Sequence, residues 1–278
     1  MTPLDDLERL VPRPAKPTAA TGDCEAVEQE LGRKLPPDWK ALVERYGYGK
    51  FGDLLVAFSP FFAPCTMMAQ ARGMLDADRE LQHAVPEAVP FALYPEKDGA
   101  LPWAQSENGH GVYWITWSDD PSEWPVAVFH PRGGKLELYE GGAAAFLHGW
   151  LSGTLAVPGF PSRSERPRPT FDRWIERAHE AIQLEATSGP PDDHEGTAYE
   201  WRLRALLATL GEVERRGEYG DEEDEKRQVH FVTEGGDCRF TYDTVYGHNV
   251  RIAAPPDRIA AVRAAILGAL PAIGCAKK

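Results

Sequence analysis

LGRKLPPDWKALVERYGYGKFGDLL, residues 31–55, is the stretch on which the reading of this chain turns. Asp23, just upstream, is placed to cap a short helix whose inward positions include Val27 and Leu31. Gly32 then supplies the left-handed residue that commonly ends a helix. Leu35 is an apolar staple, and Pro36 and Pro37 fix the backbone for a new first turn, where missing N–H donors cost little. Trp39, Leu42, Val43 and Tyr46 recur at helical spacing and predict one buried face, closed by Gly47. Helices this short are not stable alone, so they must pack on something supplied downstream.

The downstream sequence supplies it. FGDLLVAFSPF predicts a strand and APCTMMAQARGMLDADRELQ a helix. FALYPE, LPWAQS, GVYWITWS, WPVAVFH and KLELYEG are short runs rich in aromatic and β-branched residues, each bounded by glycine, proline or aspartate. Asn108-Gly109 and Gly133-Gly134 fall where hairpin turns belong. AAAFLHGWLSG predicts a closing helix. Helices, then strands, then a helix imply an α+β fold with a mainly antiparallel sheet.

These residues resemble the SUKH superfamily, the Smi/Knr-type proteins. The pattern is Glu28, Glu30, Leu31, Gly32, Leu35, Pro36, Asp38 and Trp39, then Arg45, Tyr46 and Gly47. In order after it come Leu101-Pro102-Trp103 before the Asn108-Gly109 turn, Val112-Tyr113-Trp114, Trp124-Pro125-Val126, and Phe146, Leu147 and Leu151. The resemblance covers about residues 23–155. One departure is His110, where family members often place aspartate. The resemblance implies a SUKH-like antiparallel sheet flanked by helices. It also implies a role common among bacterial members, that of an immunity protein that binds and neutralises a secreted toxin, often a nuclease. Other members are regulatory or scaffold proteins.

Composition divides the chain. VPGFPSRSERPRPTFD carries four prolines between Val157 and Pro169, which is linker composition. The expected organisation is a flexible segment at 1–22, a SUKH-like domain at 23–157, a proline-rich linker at 158–170 and a smaller α+β domain at 171–278. In that last part, FDRWIERAHEAIQLEA predicts a helix, YEWRLRALLATLGEVERRG a second ending near Gly217, and RQVHFVTEGGDCRFTYDTVYGHNVRIAAPP three strands with a Gly-Gly turn. PPDRIAAVRAAILGALPAIG predicts a final helix. The acidic run from Asp221 to Glu225 reads as a solvated loop.

The chain has 30 basic and 43 acidic side chains, for a net charge of −13. Residues 1–160 hold 13 of the basic and 22 of the acidic ones, so −9 of the −13 net charge falls there. That balance argues against binding nucleic acid by general electrostatics and favours a basic protein partner, such as a toxin domain that itself grips phosphate. No run approaches the roughly 20 apolar residues of a membrane helix, and MTPLDDLERLVPRPAKPTAATGD lacks the basic start and apolar core of a signal peptide. A cytoplasmic location is expected. Cys24, Cys65, Cys238 and Cys275 form no C-x-x-C pair and are expected to be reduced thiols.

The expected partner-binding surface is WSDDPSEW, residues 117–124. There Asp119, Asp120 and Glu123 lie between Trp117 and Trp124 in a connection between strands. No catalytic motif is present, and no enzyme activity, cofactor or metal is expected. The alternative is an enzyme or small-ligand pocket in the C-terminal half around His230, Asp243 and His248, with the first half as its docking module. His194 with Asp192, Asp193 and Glu195 is a weak metal candidate. A scaffold role is the third reading.

Overall fold

The computed structural model describes residues 2–161, 169–193, 195–221, 226–233, 236–245 and 247–278. It divides into two units, Met1–Trp174 and Ile175–Lys278.

The first unit runs α1 (Pro3–Leu10), α2 (Cys24–Leu31), α3 (Pro37–Tyr46), β1 (Gly49–Phe51), β2 (Leu55–Ala57), α4 (Met67–Ala84), β3 (Ala100–Ser106), β4 (Gly111–Ile115), β5 (Val126–His130), β6 (Lys135–Tyr139), α5 (Ala143–Ser152) and β7 (Phe171–Arg173). The strands form one sheet in the order β6-β5-β4-β3-β2-β1-β7, antiparallel throughout. One face packs on Trp39, Leu42, Val43, Tyr46, Phe146 and Leu147. The other carries Leu75 of α4 with Val89, Leu93, Tyr113 and Phe129. Because both faces are covered, β4 and β5 are buried at nearly every residue. GVYWI and VAVF are therefore continuous apolar runs, not alternating ones.

The expected α+β class and antiparallel sheet stand, as do the two motif helices and the Asn108-Gly109 and Gly133-Gly134 hairpins. Three expectations change in this unit. Residues 1–22, expected to be flexible, contain α1. Thr2 caps it in a capping box with Asp5, and Leu4, Leu7 and Val11 are buried. The cues were the Thr2–Asp5 capping pair and the helical spacing of Leu4, Leu7 and Val11. FGDLLVAFSPF, expected as one strand, is split by a tight turn at Gly52-Asp53 into a hairpin with β1. FALYPE forms no strand; Leu93 makes a single bridge to Ala100.

The second unit runs β8 (Ala178–Ala186), α6 (Ala198–Leu210), β9 (Val213–Asp221), β10 (Lys226–Thr233), β11 (Arg239–Asp243), β12 (Asn249–Ala254), α7 (Ile259–Ala269) and β13 (Cys275–Lys277). Its sheet order is β13-β8-β12-β11-β10-β9. Its core joins Ile182, Leu184, Phe231, Phe240, Tyr242 and Ile252 to Tyr199 and Leu206 of α6 and Ile266 of α7.

Two predicted helices are corrected here. FDRWIERAHEAIQLEA forms β7 and β8, and β7 pairs with β1, so Phe171–Arg173 belongs to the first unit. Its apolar residues also fit a strand, with Ile182 and Leu184 alternating inward. Glu180 occupies the inward register opposite Ile252 and lies 3.6 Å from Arg263. That charge hid the period of two. The helix expected to reach Gly217 ends at Gly211, and the charged VERRGEYGD that follows is the edge strand β9. Charged edges resist unwanted strand pairing. The middle of the proline-rich linker, His194, Gly235 and most of the acidic run lie outside the described residues.

Candidate protein-binding face

The motif helices are positioned by a carboxylate hub. Asp23 caps α2 through the N–H groups of Glu25 and Ala26, and Gly32 ends it at a φ of 76°. Glu28 is 5% exposed. It accepts the Leu35 N–H at 3.0 Å and pairs with Lys34 and Lys40, each at 2.8 Å. Burial alone would raise its carboxyl; the Leu35 N–H and the two ammonium groups outweigh that and hold it at about 2. Asp38 reaches across to accept the N–H of Ala144 and so caps α5. Trp39 meets Trp114 edge to face at 5.4 Å between ring centroids. Arg45 binds Asp5 and Glu8 of α1, and the Tyr46 hydroxyl donates to Val11 O. The motif's polar residues thus assemble helices.

Arg33, the first residue after Gly32, links this motif to the connection between β4 and β5. Its guanidinium donates to Thr116 O and Ser118 O, both at 3.2 Å. It lies 3.7 Å from the Asp119 carboxylate and 5.9 Å from the centre of the Trp124 ring. The connection is also tied to itself. Trp124 Nε1 donates to Ser118 O at 2.7 Å, and Trp117 Nε1 donates to Glu123 O at 3.0 Å. The Ser118 hydroxyl donates to Glu123 Oε2, and Asp120 accepts from both the N–H and the hydroxyl of Ser122. The Ser122 hydroxyl and then its N–H hold the Asp120 carboxyl below the usual range.

The predicted surface is therefore brought together, with one correction. Trp124 is 2% exposed and packs on Trp114, so it supports the face from beneath and cannot touch a partner. Trp117 is 55% exposed, and Asp119, Asp120 and Glu123 are exposed beside it. Strand alternation could not separate the two tryptophans, because both lie outside regular strands. Arg33 was not anticipated; nothing in its local sequence distinguishes it from a solvated arginine. An open groove of about 450 Å³ continues from it along α2, lined by Glu25, Glu28, Gln29, Gly32, Arg33 and Lys34.

Among the described residues His230, Asp243 and His248 do not converge on one site. His230 bonds Thr241, which alternates with the buried Phe240 and Tyr242 and so points to the other face of the second sheet. His248 bonds the hydroxyl of Tyr242, on the core face. The two histidines serve opposite faces. Asp243 is buried and taken up by Arg251 at 2.9 Å and by the Val245 N–H. Among the described residues no group of three or more His, Cys, Asp or Glu side chains is placed to hold a metal. Among them, too, no helix is long and apolar enough to cross a membrane.

Residues 21–147 match the SUKH_6 family, described as SMI1-KNR4 cell-wall. Over these residues the first unit is therefore similar to a SUKH domain, a class whose members bind partner proteins. No curated protein and no solved structure matches the chain.

Proposed function

We propose that the SUKH domain is an immunity-type module that neutralises a basic toxin domain, such as a nuclease, by binding it through the face of Trp117, Asp119, Asp120 and Glu123, without catalysing a reaction. One observation carries this reading: an exposed indole is set among three exposed carboxylates on a connection braced by its own hydrogen bonds. An aromatic anchor ringed by charge matches the make-up of interface hot spots. A braced surface loses little conformational freedom on binding. The surplus of acid in the first 160 residues would speed encounter with a cation-rich surface. The setting proposed is the bacterial cytoplasm.

The test compares the wild-type protein with the double variant Asp120→Lys, Glu123→Lys, both immobilised and exposed to extract of the native cell. The reading expects a basic protein that the wild type retains in a salt-sensitive manner and the variant binds at least about tenfold more weakly. Equal retention by both proteins would sink it.

A further inference from the structure

The fold commits an unusual side chain to the β4–β5 connection. Arg33 is half-buried and its guanidinium meets four groups there: the carbonyls of Thr116 and Ser118, the Asp119 carboxylate and the face of Trp124. Its contacts fall at the start of the connection, and Trp124 closes the other end on the same Ser118 carbonyl. Between these two fixings Trp117, Asp120 and Glu123 face outward. One guanidinium nitrogen, Nη1, donates to both carbonyls while the planar group lies over the Trp124 indole, a stacked contact that a lysine ammonium does not reproduce.

We infer that Arg33 is a positioning residue. It locks the connection at 116–124 in its outward-facing shape before any partner arrives. Its guanidinium lies 3.7 Å from the Asp119 carboxylate, which stays fully exposed and so remains available, with Asp120 and Glu123, to an incoming cation. This rests on the binding face proposed above for its purpose but not for its test, because the ordering exists in the free protein. The helix stop at Gly32 has a consequence here, since it aims residue 33 at the connection.

Amide and indole hydrogen exchange of the free protein tests it, with wild type, Arg33→Lys and Arg33→Ala compared. The expected result is local. The N–H groups of Asp120, Ser122 and Glu123 and the Trp124 indole exchange at least about tenfold faster in both variants, while the β4 and β5 amides keep their protection. Two outcomes would overturn it. One is protection at 120–124 within about twofold of wild type in both variants. The other is an equal loss of protection in the connection and in β4 and β5, which would mark Arg33 as a general stabiliser. Since no partner is present, either outcome leaves the toxin-binding reading to stand or fall on its own.

Discussion

Asp38 Oδ2 accepts the N–H of Ala144 at 3.1 Å, so the second motif helix caps a helix 106 residues further along the chain. Gly142, the N-cap residue of α5, offers no side-chain cap of its own, and a Cβ there would overlap the Asp38 carboxylate. Losing an N-cap costs about 1 kcal/mol. Asp38→Ala should therefore lower stability by roughly that amount, a fall of about 2–4 °C in Tm for a unit of this size. Gly142→Ala should cost more, because it both clashes and displaces the cap. Urea unfolding of the two variants checks the order.

Glu28 should set an acid limit on the first unit. Its folded carboxyl sits at about 2, below the ordinary 4.5. The unfolded chain therefore binds the proton more readily, and the stabilisation is full above pH 4.5 and is lost as pH falls toward 2. At neutral pH, Glu28→Ala should cost about 1–3 kcal/mol, because the buried Leu35 N–H loses its acceptor. The variant should also lose stability less steeply between pH 4.5 and 2. Unfolding curves across that range would contradict the assignment if both proteins weakened in parallel.

The two tryptophans that bound the acidic connection should behave as opposites. Trp117→Ala removes an exposed ring and should shift stability by no more than about 0.5 kcal/mol. Trp124→Ala empties a buried site against Trp114 and should cost about 3–5 kcal/mol. Partner affinity should fall directly in the first variant. In the second it should fall only as far as the connection loses its shape. Urea unfolding beside a binding titration separates the two effects.

His110 points to a second pH effect. Its ring lies 4.8 Å from that of His130, its Nδ1 meets Ser106 Oγ, and Gly159 approaches its far edge. Burial, then His130 and Arg132, push its pKa below 6.5. A base depressed on folding is protonated more easily when unfolded, so stability should fall as pH drops below 6.5. His110→Gln should remove that part of the pH dependence while leaving the Glu28 limit in place. Thermal melts between pH 7.5 and 5 separate the two.

Much of the first unit was legible because its signals are local. Asp23, Gly32, the Pro36-Pro37 start and the Trp39–Tyr46 stripe each act within one turn of helix, and each is where the spacing put it. The acidic connection was legible as composition. Elements whose neighbours lie far away in sequence were not. β8 looked helical because Glu180 interrupts its alternation; in the fold that carboxylate stays partly exposed and lies 3.6 Å from Arg263. β9 is so charged that only its ladder with β10 reveals a strand.

The sequence by itself determined the helix stops, the hairpin turns, the antiparallel sheet and the excess of acidic over basic residues in the first 160 residues. These follow from backbone preference and side-chain charge, which need no distant partner. Only the tertiary structure decided which tryptophan faces water and that His230 and His248 serve opposite faces of a sheet. It alone brought Arg33 and Asp38 onto groups far along the chain. Those outcomes depend on which surfaces meet when the sheet is covered, and burial is a property of the assembled fold, not of any one segment.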